Sequence, residues 1–196
     1  MKVEIIDYKM GNVRSVYNAL RFLDADPIII HRPSEMREEK VIIPGVGAFG
    51  HGIKNIEPFF PKIRELSSSE IPLLGICLGF QMFFESSEES PNTNGLGIME
   101  GKVEKINTSL RLPHIGWNYL EIIKEQCPLF YGIRNGYVYF VHSYHAVPKE
   151  DVISAKTEYG NHICASVWKN NVFGTQFHPE KSGKLGLEIL RNFLEL

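Results

Sequence analysis

Residues 71–85 read IPLLGICLGFQMFFE, an uninterrupted apolar run over 71–77 that breaks at Gly-Ile-Cys-Leu-Gly into a helical pattern over 78–85. Continuous apolarity without polar alternation suits a strand covered on both faces, as in a parallel sheet clad by helices. Two similar runs precede it, 27–31 (PIIIH) and 40–43 (KVII). Upstream, 2–8 (KVEIIDY) is β-rich and stops at Lys9, Met10, Gly11 and Asn12. Beyond that turn Val13, Val16, Tyr17, Leu20 and Leu23 recur at helical spacing, with Asn12 placed to cap the first turn. The order is strand, helix, strand. Residues 47–66 carry a looser helical pattern broken by Pro58 and Pro61, and Ser67, Ser68 and Ser69 form the polar connector to the apolar run at 71.

Downstream the texture changes. Residues 86–97, rich in Ser, Glu, Pro, Asn and Gly, read as an exposed loop. Short strand candidates follow at 102–106, 119–123, 137–142, 152–156, 163–169 and 172–177, the last two joined by Asn170 and Asn171. Their close spacing predicts antiparallel hairpins. Residues 182–196 close the chain as a helix with Leu187, Leu190, Phe193 and Leu194 on one face. There is no repeat and no linker. The expectation is one domain over 1–196, of α/β class: an open mixed sheet with a mostly parallel core flanked by helices and an antiparallel extension.

Composition narrows the function. Of 196 residues 43% are hydrophobic and 22% charged, with 21 Lys+Arg against 23 Asp+Glu, which places the chain among folded globular proteins. A pI near 6.4 leaves no basic footprint for nucleic acid. The longest uncharged apolar stretch, 71–84, is shorter than the ~20 residues that span a bilayer. Glu4 and Asp7 interrupt what an export signal would need, so a cytoplasmic location is expected, with no membrane and no nucleic-acid partner. In that compartment Cys77, Cys127 and Cys164 read as free thiols, without metal-ligand pairing.

Three constellations carry chemistry. Gly75-Ile76-Cys77-Leu78-Gly79 has the form of a nucleophile elbow: a sharp turn from strand to helix exposes a thiol at the mouth of a sheet, and a helix N-terminus favours thiolate. Cys127 and Cys164 lack that setting and read as small core residues. Gln176-Phe177-His178-Pro179-Glu180 ends a strand, and an extended His-Pro-Glu puts imidazole and carboxylate near one face. A carboxylate there fixes the tautomer of a base that activates a thiol. Pro44-Gly45-Val46-Gly47 follows a strand and can aim backbone N–H groups at a developing oxyanion. Nucleophile, base, orienter and donors together indicate covalent acyl transfer. His142 and His145 have H-x-x-H spacing without a third ligand, so neither a metal nor a cofactor is expected. Residues 112–118 (LPHIGWN) read as a loop carrying one of two tryptophans, a candidate interface.

Taken together, GICLGFQ, FHPE and PGVG resemble the triad-type (class I) glutamine amidotransferases. The resemblance runs through DYKMGN, LPHIGWN, YFVHSY and GTQFHPEKS and so covers essentially the whole chain. LPHIGWN and the DYxxGN opening are most similar to the branch that serves as glutaminase subunits of imidazole glycerol phosphate synthase. The resemblance implies that Cys77 attacks the side-chain amide of glutamine, His178 moves protons and Glu180 orients His178. It implies oxyanion donors from Leu78 and the Gly45, Val46, Gly47 loop, and glutamine held by Gln81, His142, Ser143 and Tyr144. It further implies a heterodimer with a (βα)8-barrel cyclase subunit, docked near Trp117 and Lys181, which uses the ammonia in histidine biosynthesis. Paralogues that feed ammonia to surface-sugar amidation share these motifs, and a catalytically silent scaffold is a further alternative. Lys9 stands where many relatives have Gly.

Overall fold

The computed structural model describes residues 1–37 and 39–196. In chain order the strands are β1 (Lys2–Ile6), β2 (Asp26–Ile30), β3 (Lys40–Ile43), β4 (Leu73–Ile76), β5 (Ser86–Ser87), β6 (Gly101–Lys105), β7 (His114–Ile122), β8 (Gly136–His142), β9 (Tyr144–Pro148), β10 (Ile153–Glu158), β11 (His162–Lys169) and β12 (Val172–Thr175). The helices are α1 (Val13–Phe22), α2 (Phe49–Ile56), α3 (Phe60–Ser67), α4 (Leu78–Gln81) and α5 (Gly183–Glu195).

Nine strands form one sheet in the order β2-β1-β3-β4-β12-β11-β10-β7-β8. The first five run parallel, and every pairing from β12 to β8 is antiparallel. This is the expected mixed sheet with an antiparallel extension. The parallel strands bury both faces because residues alternate between two cores. Val3, Ile5, Ile42, Leu74, Ile76 and Phe173 pack with Val16 and Leu20 of α1 and Ile189, Leu190 and Phe193 of α5. Ile6, Val41, Ile43, Leu73 and Val172 pack with Phe49, Ile53 and Ile56 of α2 and Ile63 and Leu66 of α3. No helix among the described residues is long and apolar enough to cross a membrane.

Several local expectations change. The helix after Cys77 ends at Gln81, and 86–97 contributes β5 and the buried Ser87 and Leu96. The 47–66 pattern resolves into α2 and α3 joined by a 3-10 turn at Glu57–Phe59. β6 leaves the main sheet to form a second one with β5 and β9. LPHIGWN is no loop from His114 onward: it opens β7, whose register with β8 runs from His114 opposite His142 to Leu120 opposite Gly136. Asn12 makes no capping bond to α1, because its side chain is engaged elsewhere.

Candidate active site

The carboxyl ends of parallel strands are where loops converge in open α/β sheets, and here the ends of β3, β4 and β12 bring PGVG, Cys77 and His178 together. Cys77 adopts φ 52° and ψ −104°, a strained conformation for a residue with a side chain. Its amide donates to Thr175 O at 2.7 Å and its carbonyl accepts from Gln81 N at 3.0 Å, so both neighbouring elements hold the kink. The flanking glycines are steric requirements. A Cβ at Gly79 would run into the carbonyl of Ile43, and one at Gly75 would meet the Phe80 backbone at 2.7 Å.

Past β12, Gln176 and Phe177 are buried and His178 leads into a 3-10 turn over Pro179–Lys181. That turn brings His178 Nδ1 to 2.8 Å from Glu180 Oε1, with both side chains inaccessible to solvent. An ionised carboxylate only accepts, so Nδ1 carries the proton and Nε2 is left for the Cys77 side. Nε2 makes no well-formed hydrogen bond among the described residues, which leaves it free to exchange a proton with a reacting group. Burial alone would depress the imidazole pKa. The nearby Cys77 sulfur and the Glu180 carboxylate outweigh it and hold His178 well above the ordinary imidazole range. Cys127 and Cys164 contrast with this: both are buried, and desolvation pushes the Cys127 thiol up to about 11 and raises that of Cys164 as well.

A cavity of about 430 Å³ opens beside the sulfur. Of the residues expected at the site, Val46, Gly47, Cys77, Leu78, Gln81, His142, Ser143, Tyr144 and Lys181 line it. Gly45, His178 and Glu180 lie behind that lining, and Trp117 is on β7, 56% exposed, with its ring 6.3 Å from that of Tyr139. Both expected oxyanion donors are occupied within the chain. Leu78 N donates to Gly45 O at 3.3 Å, and Val46 N donates to Met10 O at 2.8 Å.

Two further residues belong here that their local sequence did not mark. Gln176 Nε2 donates toward Cys77 Sγ at 3.6 Å while its Oε1 accepts from Gln81 Nε2 at 3.0 Å. Asn12 Nδ2 donates to Glu180 Oε1 at 3.0 Å. Gln176 lay inside a motif whose His and Glu drew attention, and Asn12 lay where a cap was expected. Glu89 also faces the cavity, and its carboxylate accepts from Phe49 N at 2.7 Å at the start of α2. His142 cannot bind metal as it stands, since both ring nitrogens are engaged by His114 and Tyr144 O. The arrangement pairs a thiol with an oriented imidazole beside a cavity suited to a small carbonyl substrate.

The glutamine amidotransferase class-I family model matches residues 4–196. Imidazole glycerol phosphate synthase subunit HisH of Methanocaldococcus jannaschii is 50% identical over 99% of this chain and 99% of its own length. The protein of the same name from Pyrococcus furiosus is 47% identical over 100% and 99%. Among solved structures, PurLQS from Thermotoga maritima superposes with a TM-score of 0.79 at 18% identity, over 99% of this chain and 97% of that one, a likeness of fold. A fold shared with such structures, a family match from residue 4 to the last, and relatives half identical along their entire length lead to one statement: the chain belongs to the class I glutamine amidotransferases, in the branch of the HisH subunits.

Proposed function

We propose that this chain is the glutaminase subunit of an imidazole glycerol phosphate synthase, with Cys77, His178 and Glu180 as its triad. The observation that carries the reading is the buried His178–Glu180 pair at 2.8 Å beside a strained thiol at the mouth of a 430 Å³ cavity. In the reaction Cys77 Sγ bonds to the amide carbon of glutamine, and the electron pair moves to the carbonyl oxygen. His178 Nε2, which takes the Cys77 thiol proton as the sulfur attacks, gives that proton to the departing nitrogen as the C–N bond breaks, which leaves a γ-glutamyl thioester and ammonia. Nε2 then takes a proton from water, whose oxygen displaces the thiolate and releases glutamate. The ammonia passes to a cyclase subunit.

Strand alternation supports a docking face for that subunit. Along β7 the inward residues are His114 and Leu120, whereas Ile115, Trp117 and Tyr119 point out and are exposed. Tyr137 extends this apolar face on β8, and Lys181 Nζ lies 6.0 Å from the centroid of the Tyr139 ring. Exposed aromatics beside a charged residue are what interface cores are made of. The test is Cys77→Ala in the assembled complex. Glutamine-dependent synthesis is lost while ammonia-dependent synthesis persists, because the sulfur serves only to liberate ammonia. Loss of both rates in a correctly assembled variant overturns this division of labour.

A further inference from the structure

His114 and His142 face each other across the β7–β8 pair, buried on the side opposite the exposed aromatic face. Neither has a role in the triad. Their hydrogen bonds nevertheless form an unbroken line to the nucleophile. His142 Nδ1 lies 2.9 Å from Tyr144 O, which can only accept, so the proton of His142 is on Nδ1 and its Nε2 is a lone pair. That lone pair lies 3.0 Å from His114 Nδ1, which must therefore be the N–H of His114. His114 Nε2 then accepts from Asn118 Nδ2 at 3.2 Å, and the same amide nitrogen also donates to Glu158 O at 2.8 Å. At the other end Tyr144 O accepts a second bond, from Gln81 Nε2 at 2.9 Å. Gln81 donates onward to Gln176 Oε1, and Gln176 Nε2 points to Cys77 Sγ at 3.6 Å. The Tyr144 carbonyl and the Asn118 amide, at the two ends of the imidazole pair, fix both tautomers, and the Gln81 amide reaches the same carbonyl from the side of the nucleophile.

We propose that His114 and His142 are positioning residues for Cys77: a one-way relay of neutral imidazoles that orients Tyr144 O and, through Gln81 and Gln176, the attacking sulfur. The inference rests on Cys77 being the nucleophile, as read above. The relay works only while both rings are uncharged, since an imidazolium at either site would turn an accepting nitrogen into a donor facing another donor. Burial holds His114 down at about 4 and His142 at about 3, which keeps the line intact at neutral pH.

A purely steric role makes a different prediction, because His114 is also stacked between Tyr159, at 3.9 Å, and Phe140, at 4.8 Å. His114→Phe keeps the stacked ring and removes the donor. His114→Asn loses the ring but places an amide nitrogen at the Nδ1 position. Two rates are to be measured for each: alkylation of Cys77 by iodoacetamide in the isolated chain, and glutamine hydrolysis in the complex. The relay predicts that His114→Phe lowers both rates about tenfold, with glutamine KM little changed, and that His114→Asn recovers most of the loss. Equal losses, no loss, or a Phe variant that outperforms the Asn variant overturns it. Should His114→Phe not fold, His142→Leu against His142→Asn reads the next link, since only Asn keeps a donor for Tyr144 O. There too Asn must exceed Leu, and equal rates overturn the relay. If alkylation follows the relay but no glutamine is hydrolysed even by the parent complex, the glutaminase reading fails and the relay stands.

Discussion

Asn12 and Glu180 are 168 residues apart in sequence and 3.0 Å apart in space, and between them stands the orientation of the base. Cys77, His178 and Glu180 could be proposed from sequence because each sits in a short motif whose backbone chemistry is local, a glycine-flanked kink or a proline between two polar residues, whereas Gln81 came only with the family resemblance. Asn12 and Gln176 could not, because each acts through a contact that only the completed sheet creates. At the same site the pKa of His178 offers a signed test. The sulfur is the largest of the raising influences, so Cys77→Ala, which removes it, lowers the His178 pKa. Titration of the His178 ring protons by NMR in the two proteins measures the difference, and an unmoved value would mean that sulfur and imidazole are not coupled.

β7 illustrates why elements were harder to read than motifs. Pro113 and Gly116 are turn formers, and together they read as a loop. Pairing with β8 overrides that preference, since seven residues of β7 find partners and Gly116 lies opposite Phe140 with φ at 127°. The burial of two neutral imidazoles in this pair has a thermodynamic cost in acid. Both folded pKa values lie below the unfolded value near 6.5, so below that pH the unfolded chain binds more protons and stability falls, continuing toward about 4 for His114 and about 3 for His142. Denaturant unfolding at pH 7 and at stepwise lower pH shows this as a slope approaching about two protons, shallower in His114→Asn. A flat profile would contradict buried neutral rings. The outer face makes a separate prediction. Trp117 is exposed, so Trp117→Ala leaves the fold's stability nearly unchanged and weakens cyclase binding by about 2 kcal/mol, roughly thirtyfold by calorimetry. Unchanged affinity would remove Trp117 from the interface.

In the molecule as a whole the antiparallel extension does what the parallel core cannot: it carries an aromatic face on β7 and β8 to the edge of the catalytic cleft. Tyr139 O, in that pair, accepts from His178 N at 2.9 Å, so the proposed docking face and the proposed base share a hydrogen bond. Glutamine hydrolysis is expected to be slow in the isolated chain and to rise by orders of magnitude when cyclase and its nucleotide bind, through rotation of the Gly45–Val46 peptide. Gly45 itself is a poor place to test this, because a Cβ there meets the Tyr8 hydroxyl and Leu78. Val46→Pro deletes the N–H in question at a more exposed position. It should cost about 10²–10³ in stimulated glutaminase while the complex still forms, measured as glutamate release with partner and ligand. Full stimulation would place control elsewhere. The 3.3 Å bond from Leu78 N to Gly45 O also implies a chemical selectivity. On the proposed oxyanion role of Leu78 N, a carbonyl oxygen of the chain occupies the seat that a substrate's alkoxide would claim. Iodoacetamide, which alkylates by displacement and generates no alkoxide, is indifferent to that occupant. An aldehyde such as glutamate γ-semialdehyde, which must become a hemithioacetal anion, is excluded by it. The quotient of the two labelling rates therefore counts vacant seats directly, and should climb on docking while its denominator stays constant.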